Sequence, residues 1–116
     1  MKESVLKNKS YAFAVRIVKL AQYLQKEKKE FVLRNQILRS GTSIGALVRE
    51  GEFAQSIADF THKMSIAPKE TNETSYWISL LIDTGYLDKT ISLSMQNDCD
   101  ELTRMLIATV KISKKK

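Results

Sequence analysis

The chain has few of the residues that interrupt or cross-link a fold. Of 116 residues, one is cysteine, one proline and four glycine. The single thiol, Cys99, excludes an intrachain disulfide and agrees with a reducing compartment. One proline and four glycines leave little room for linkers, and abundant Leu, Ile, Lys, Glu and Ala favour helices over strands. With His62 and Cys99 the only residues of their kinds, no metal-ligand spacing of paired Cys or His can be drawn. No apolar run is long enough to cross a bilayer, and Met1-Lys-Glu-Ser-Val5 lacks the apolar centre of a signal peptide, so a cytoplasmic protein is expected.

What the sequence does contain is helical periodicity, four times over. Its length suits one domain, residues 1–116, with a single core. A first helix is predicted over about residues 4–27, capped by Ser4. Its stripe is Phe13, Ile17, Leu20 and Leu24, widened by Val5, Leu6, Ala14 and Ala21. A second, over about 33–52, follows the seam Leu33, Ile37, Ser40, Ile44, Leu47. The third, over about 56–84, is the most regular. Ile57, Phe60, Met64, Ala67, Thr71, Thr74, Ile78 and Leu81 alternate by three and four, the spacing of a left-handed bundle. Ser56 or Gln55 should start it and Gly85 close it, and Pro68 should kink it by removing the bond to the Met64 carbonyl. A fourth, over about 92–112, carries Met95, Leu102, Met105, Leu106 and Ile112 and starts at Ser92 or Ser94. The predicted fold class is all-α, an antiparallel up-down-up-down four-helix bundle.

The centre of the second helix is unusual. Gly41 and Gly45 stand four residues apart in a run rich in small hydroxyl residues, and glycine costs about 1 kcal/mol against alanine inside a helix. Small residues at that spacing let another backbone come close, which is expected to lay this helix flush against the third. A phosphate-cradling loop is the functional rival. Gly41-Thr-Ser-Ile-Gly45 lacks its Gly-Lys-Ser/Thr signature and a preceding strand.

The net charge of +6 is unevenly placed. Residues 1–30 hold eight basic and three acidic side chains, residues 31–90 sum to −1, and residues 91–116 to +2. The basicity thus belongs to the two ends of the chain. In an up-down-up-down bundle these ends meet, so Lys2, Lys7, Lys9, Lys111, Lys114, Lys115 and Lys116 should form one patch. A phosphate-bearing partner would fit it; a solvated lysine-rich face is the plainer explanation.

Candidate chemistry is sparse. Glu70 and Glu73 could join Glu50 in a carboxylate cluster of the di-iron kind, but that site needs Glu-x-x-His motifs and the chain has none. A structural polar layer fits better. Arg39 or Arg49 would pair with Glu70 or Glu73, while Ser40, Ser43, Thr71 and Thr74 would satisfy buried donors, and Glu50 is counted in the same layer. His62 reads as a surface or half-buried residue. No catalytic residue, metal or cofactor is expected, and no Ser-His-Asp or Cys-His arrangement can be defended.

Leu38-Arg-Ser-Gly-Thr-Ser-Ile-Gly-Ala-Leu-Val-Arg-Glu50, followed by Asp59-Phe60, Met64-Ser-Ile-Ala67, Lys69-Glu70, Glu73-Thr74, Tyr76-Trp-Ile-Ser-Leu80 and Thr84-Gly-Tyr-Leu87, resembles the four-helix bundle protein family. These are also called the 23S ribosomal RNA intervening-sequence proteins, and they include relatives of diversity-generating retroelement accessory proteins. The resemblance covers nearly the whole chain. It implies an antiparallel bundle assembling into a ring-like homopentamer, with nucleic-acid association in the retroelement branch. The partners it implies are other copies of the chain, RNA or DNA, and a reverse transcriptase; no membrane is involved. The family usually places Asn where this chain has Leu47, and an ordinary helix former where it has Pro68. The first change removes any polar contact of that Asn, and the second implies a local kink.

The residues add support for an oligomer, since Phe53, Tyr76, Trp77 and Leu80 offer more apolar area than a monomer needs. The leading functional expectation is a non-enzymatic, oligomeric, nucleic-acid-associated bundle. The alternative is a protein-interaction scaffold whose basic ends confer solubility, and the third reading is a small carboxylate-site enzyme.

Overall fold

The structure, a computed structural model, describes the backbone from residue 2 onward and the side chains from residue 5 onward. Four helices account for nearly all of it: α1 (Lys2–Lys26), α2 (Val32–Glu52), α3 (Ile57–Asp83) and α4 (Lys89–Lys114). They form a rod of 47 × 21 × 20 Å. Each of α1 and α3 lies beside both α2 and α4, and the backbones of the diagonal pairs stay apart, which is a bundle closed around one core. Partner numbers descend along every seam. Lys7 reaches Glu52 whereas Ile17 faces Gly41; Lys63 reaches Glu50 whereas Thr74 reaches Ser40. Thr61 meets Ser113 whereas Ser75 meets Gln96, and Lys9 reaches Glu101 whereas Arg16 reaches Asp98. Neighbours that reverse direction at each turn produce this order.

The predicted α3 seam is buried from Met64 through Ala67, Thr71, Thr74 and Ile78 to Leu81, and the α1 stripe of Phe13, Ile17, Leu20 and Leu24 is buried in the same core. Three expected core residues prove half exposed: Val5, Ile57 and Ile112. All three lie near the pole where the chain ends meet, and Ile57 and Ile112 line an open groove there. In α2, Val48 is buried where Leu47 was expected to be, and Leu47 is half-buried beside it.

Local chemistry sets the helix ends. Ser56 caps α3 from extended backbone by accepting the Asp59 N–H at 3.0 Å, and the Asp59 carboxylate accepts the Gln55 N–H at 3.1 Å. Gly85 closes α3 at φ +83°, with Gly85 N–H donating to the Ile82 carbonyl and Tyr86 N–H to that of Leu81, both bonds of a Schellman cap. α3 is unbroken through Pro68. Two starts differ from expectation. α1 is already helical at Lys2, which puts Ser4 inside it. α4 begins at Lys89 instead of near Ser92, because Asp88 supplies the extended cap residue and Ser92, buried, donates its hydroxyl to the Asp88 carbonyl within the helix.

At the far pole one carboxylate joins both turns. Glu30 accepts the N–H groups of Val32 and Leu33, each at 2.9 Å, and the Tyr86 hydroxyl at 3.0 Å. The Leu33 N–H is the main reason that the Glu30 carboxyl titrates below its ordinary range, and the hydrogen bond from Tyr86 to Glu30 raises the Tyr86 pKa.

Candidate functional site

The hydroxyl residues of α2, α3 and α4 form a layer across the middle of the rod. Thr74 Oγ1 lies 3.0 Å from Ser40 Oγ and 2.8 Å from the Glu70 carbonyl, all within the interior. One turn along, Thr71 donates to the Pro68 carbonyl at 2.8 Å and accepts from Thr103 at 2.8 Å. Cys99 Sγ donates to the Thr71 carbonyl at 3.1 Å. A hydroxyl in a helix can return its proton to a carbonyl three or four residues back, so these groups are satisfied without water.

At the solvent edge of the layer, Arg39 spans Glu70, at 3.3 Å, and Glu73. Glu73 also accepts the Trp77 indole N–H at 3.0 Å. Three residues expected here lie elsewhere. Ser43 turns back on the Ser40 carbonyl at 2.8 Å. Arg49 faces α1 and stands 5.8 Å from the Tyr11 ring centroid. Glu50 pairs with Lys63 at 2.9 Å at the end of the bundle, and that contact raises the Lys63 pKa. Arg39 and Glu50, eleven residues apart on α2, are about 16 Å apart along its axis, so a cluster of Glu50 with the carboxylates opposite Arg39 does not assemble. Thr103 was not anticipated, since nothing in its own helix's pattern marks it as facing Thr71. Among the described residues, no group of three or more His, Cys, Asp or Glu could hold a metal ion, and His62 is exposed.

Gly41 and Gly45 do allow a close approach, but by α1 instead of α3. A Cβ on Gly41 would meet three carbons of Ile17 at 2.6 to 2.8 Å; one on Gly45 would stand 3.4 Å from the Ser10 carbonyl oxygen. Sequence spacing gives the stripe of small residues but not which neighbour it serves.

The charged pole is built from both chain ends, and a groove of about 360 Å³ there is lined by Leu6, Glu52, Ile57, Ile112 and Lys116 among others. Lys111, Lys114 and Lys115, like Lys116, are exposed at this end of α4. Lys7 and Lys9 are tied up in ion pairs, with Glu52 at 3.3 Å and Glu101 at 3.2 Å. The Lys2 side chain lies outside the described residues. Lys26, Lys28 and Lys29 sit by the α1 to α2 turn, at the pole that Glu30 and Tyr86 join. The basicity of residues 1–30 is therefore split between the two poles. Nor do the expected apolar residues form one stripe. Phe53 is 85% exposed and Tyr76 58%, but Ile57, next to Phe53, and Tyr76 are about 28 Å apart along α3. Trp77 and Leu80 are half-buried.

No described helix is long and apolar enough to cross a membrane. No curated protein matches the sequence. Among solved structures, a protein of unknown function from the S23 ribosomal protein family of Bacteroides thetaiotaomicron shares 55% identity with the chain. That match covers 96% of this chain and 99% of the other, with a TM-score of 0.93. The model of the 23S rRNA-intervening sequence proteins matches residues 2–108. On this evidence the chain belongs to the 23S rRNA-intervening sequence protein family.

Proposed function

We propose that the protein is a non-enzymatic, oligomeric helical bundle that associates with RNA or DNA through lysines at the pole where its chain ends meet. The observation that carries this reading is the exposure of Lys111, Lys114, Lys115 and Lys116 beside the start of α1. Four flexible cations on one rim suit a polyanion, and each phosphate neutralised releases counterions. A homopentameric ring, the form that the family resemblance implies, would present this rim five times and add many weak contacts. A cytoplasmic setting and a reverse transcriptase as protein partner belong to the same reading.

Light scattering with and without nuclease tests both parts at once, since it reports subunit number and bound polyanion together. A mass near five chains that falls only by the nucleic acid's share is expected. A gel shift should weaken steeply with salt, and replacing Lys114, Lys115 and Lys116 by Gln should weaken it further. No retardation at low salt would remove the nucleic-acid role.

Phe53, Ile57 and Ile112, exposed beside the end groove, favour a second reading, in which the bundle is a protein-interaction scaffold. Capture of a protein partner that survives nuclease treatment would support it.

A further inference from the structure

We infer that the groove between α1 and α2, walled by Tyr11 and Arg49, binds single-stranded nucleic acid, with an unpaired base stacked on Tyr11 and phosphates held by Arg49 and Lys7. This rests on the proposed nucleic-acid role and names its site and the form of the ligand.

The groove exists because the helices nearly touch beneath it. With no side chain at Gly45, the Ser10 carbonyl and the α2 backbone come close enough that a Cβ would be in van der Waals contact. Ala14 and Ala46 add almost no height, so the floor is low and the walls are the two long side chains. The enclosed space is about 230 Å³. Tyr11 is 60% exposed, and the Arg49 guanidinium stands 5.8 Å from its ring centroid, within cation–π range. Of the residues lining the groove, two are cations and none is acidic.

These features together select the ligand. An exposed aromatic ring beside guanidinium and ammonium groups is the arrangement on which unpaired bases stack while the backbone is neutralised. A duplex keeps its bases stacked inside and could use only the cations. The floor hydroxyls are committed as donors: Ser10 Oγ to the Lys7 carbonyl at 3.1 Å and Thr42 Oγ1 to that of Leu38 at 2.7 Å. Little is left to read a base edge, so binding is sequence-tolerant. Lys7 lies one turn nearer the chain start and joins the groove to the basic pole. Its partner Glu52 is an exposed carboxylate at 3.3 Å, which a phosphate can displace at small cost.

The test is fluorescence anisotropy with labelled 12-nucleotide oligouridine and oligothymidine, on the full chain, with a duplex of equal length as competitor. Both single strands should bind and the duplex compete poorly. Tyr11→Ala should weaken binding about 10-fold, whereas Tyr11→Phe, which keeps the ring, stays within about 2-fold of the parent. Arg49→Gln should lower the salt slope by about 0.7, one phosphate's share on a single strand. An oligonucleotide carrying 5-iodouridine should photocrosslink to Tyr11. Thermal melts of each variant verify that it is folded. If Tyr11→Ala binds like the parent, or crosslinks fall only on the terminal lysines, the groove is not the site and the proposed function stands without it. If the parent protein binds neither strand nor duplex, both fall.

Discussion

Gly41 faces Ile17 across the α1–α2 seam so closely that a Cβ on the glycine would stand 2.6 Å from Ile17 Cγ1. Ile17 is fully buried and β-branched, so it has little freedom to swing aside. Gly41→Ala gains about 1 kcal/mol of helix propensity but overpacks the seam, a fault that costs about 1–3 kcal/mol. We expect a net loss of up to about 2 kcal/mol in chemical denaturation, largely relieved when Ile17→Ala is added. Gly45→Ala is the contrasting case. Its nearest neighbour would be at an ordinary 3.4 Å, and it should be neutral or more stable by up to about 1 kcal/mol. Equal losses at the two glycines would show that seam geometry does not govern their cost.

The Thr71 and Thr103 hydroxyls join α3 to α4 at 2.8 Å, and each also has a carbonyl of its own helix within reach. Removing one hydroxyl therefore leaves its partner able to turn to a carbonyl. Thr71→Val should cost about 1 kcal/mol, and Thr71→Val with Thr103→Val less than the sum of the two single changes. Strict additivity in the double-mutant cycle would mean that the interhelical bond contributes nothing.

These two pairs also show what could be read in advance. The three-and-four alternation of Met64 to Leu81 predicts a buried face, because any helix in a bundle must bury one stripe, and it does. The same rule overreached at Val5, Ile57 and Ile112, which lie near the helix ends at one pole and stay half exposed. Partner choice was less legible. A small-residue step at Gly41 and Gly45 fits any neighbour, and only the assembled fold gives it to α1. Arg49 has the charge to meet Glu70 or Glu73 but faces Tyr11 instead. Glu30 went unnoticed because its work depends on Tyr86, brought to it by folding from the opposite turn.

Glu30 makes stability depend on acid. Its folded pKa lies below its ordinary value near 4.5, chiefly through the Leu33 N–H; burial opposes this, and the Tyr86 hydroxyl and the Val32 N–H add to the lowering. A depressed carboxyl contributes stability that is fully present above its unfolded pKa and is lost as pH falls through the folded one. Glu30→Gln keeps an acceptor oxygen but cannot ionise. The variant should melt below the parent near neutral pH, with the gap closing as pH falls below about 4.5. A gap that stays constant over that range would rule out the ionised cap as its source.

Cys99 is fully buried in α4, and its thiol is pushed up to about 12, first by burial and then by Asp100 and Asp98 nearby. Only the thiolate reacts readily, and at pH 8 such a group is ionised in about one molecule in 10⁴. Labelling by a disulfide reagent must therefore wait for the helices to part. Native protein should react at the rate of opening, independent of reagent concentration when reagent is in excess, and Gly41→Ala should accelerate it by loosening the bundle. The same thiol in denaturant should react at once. Rapid labelling of folded protein, with a rate proportional to reagent, would mean that α4 gives solvent a route to Cys99 that this packing does not contain.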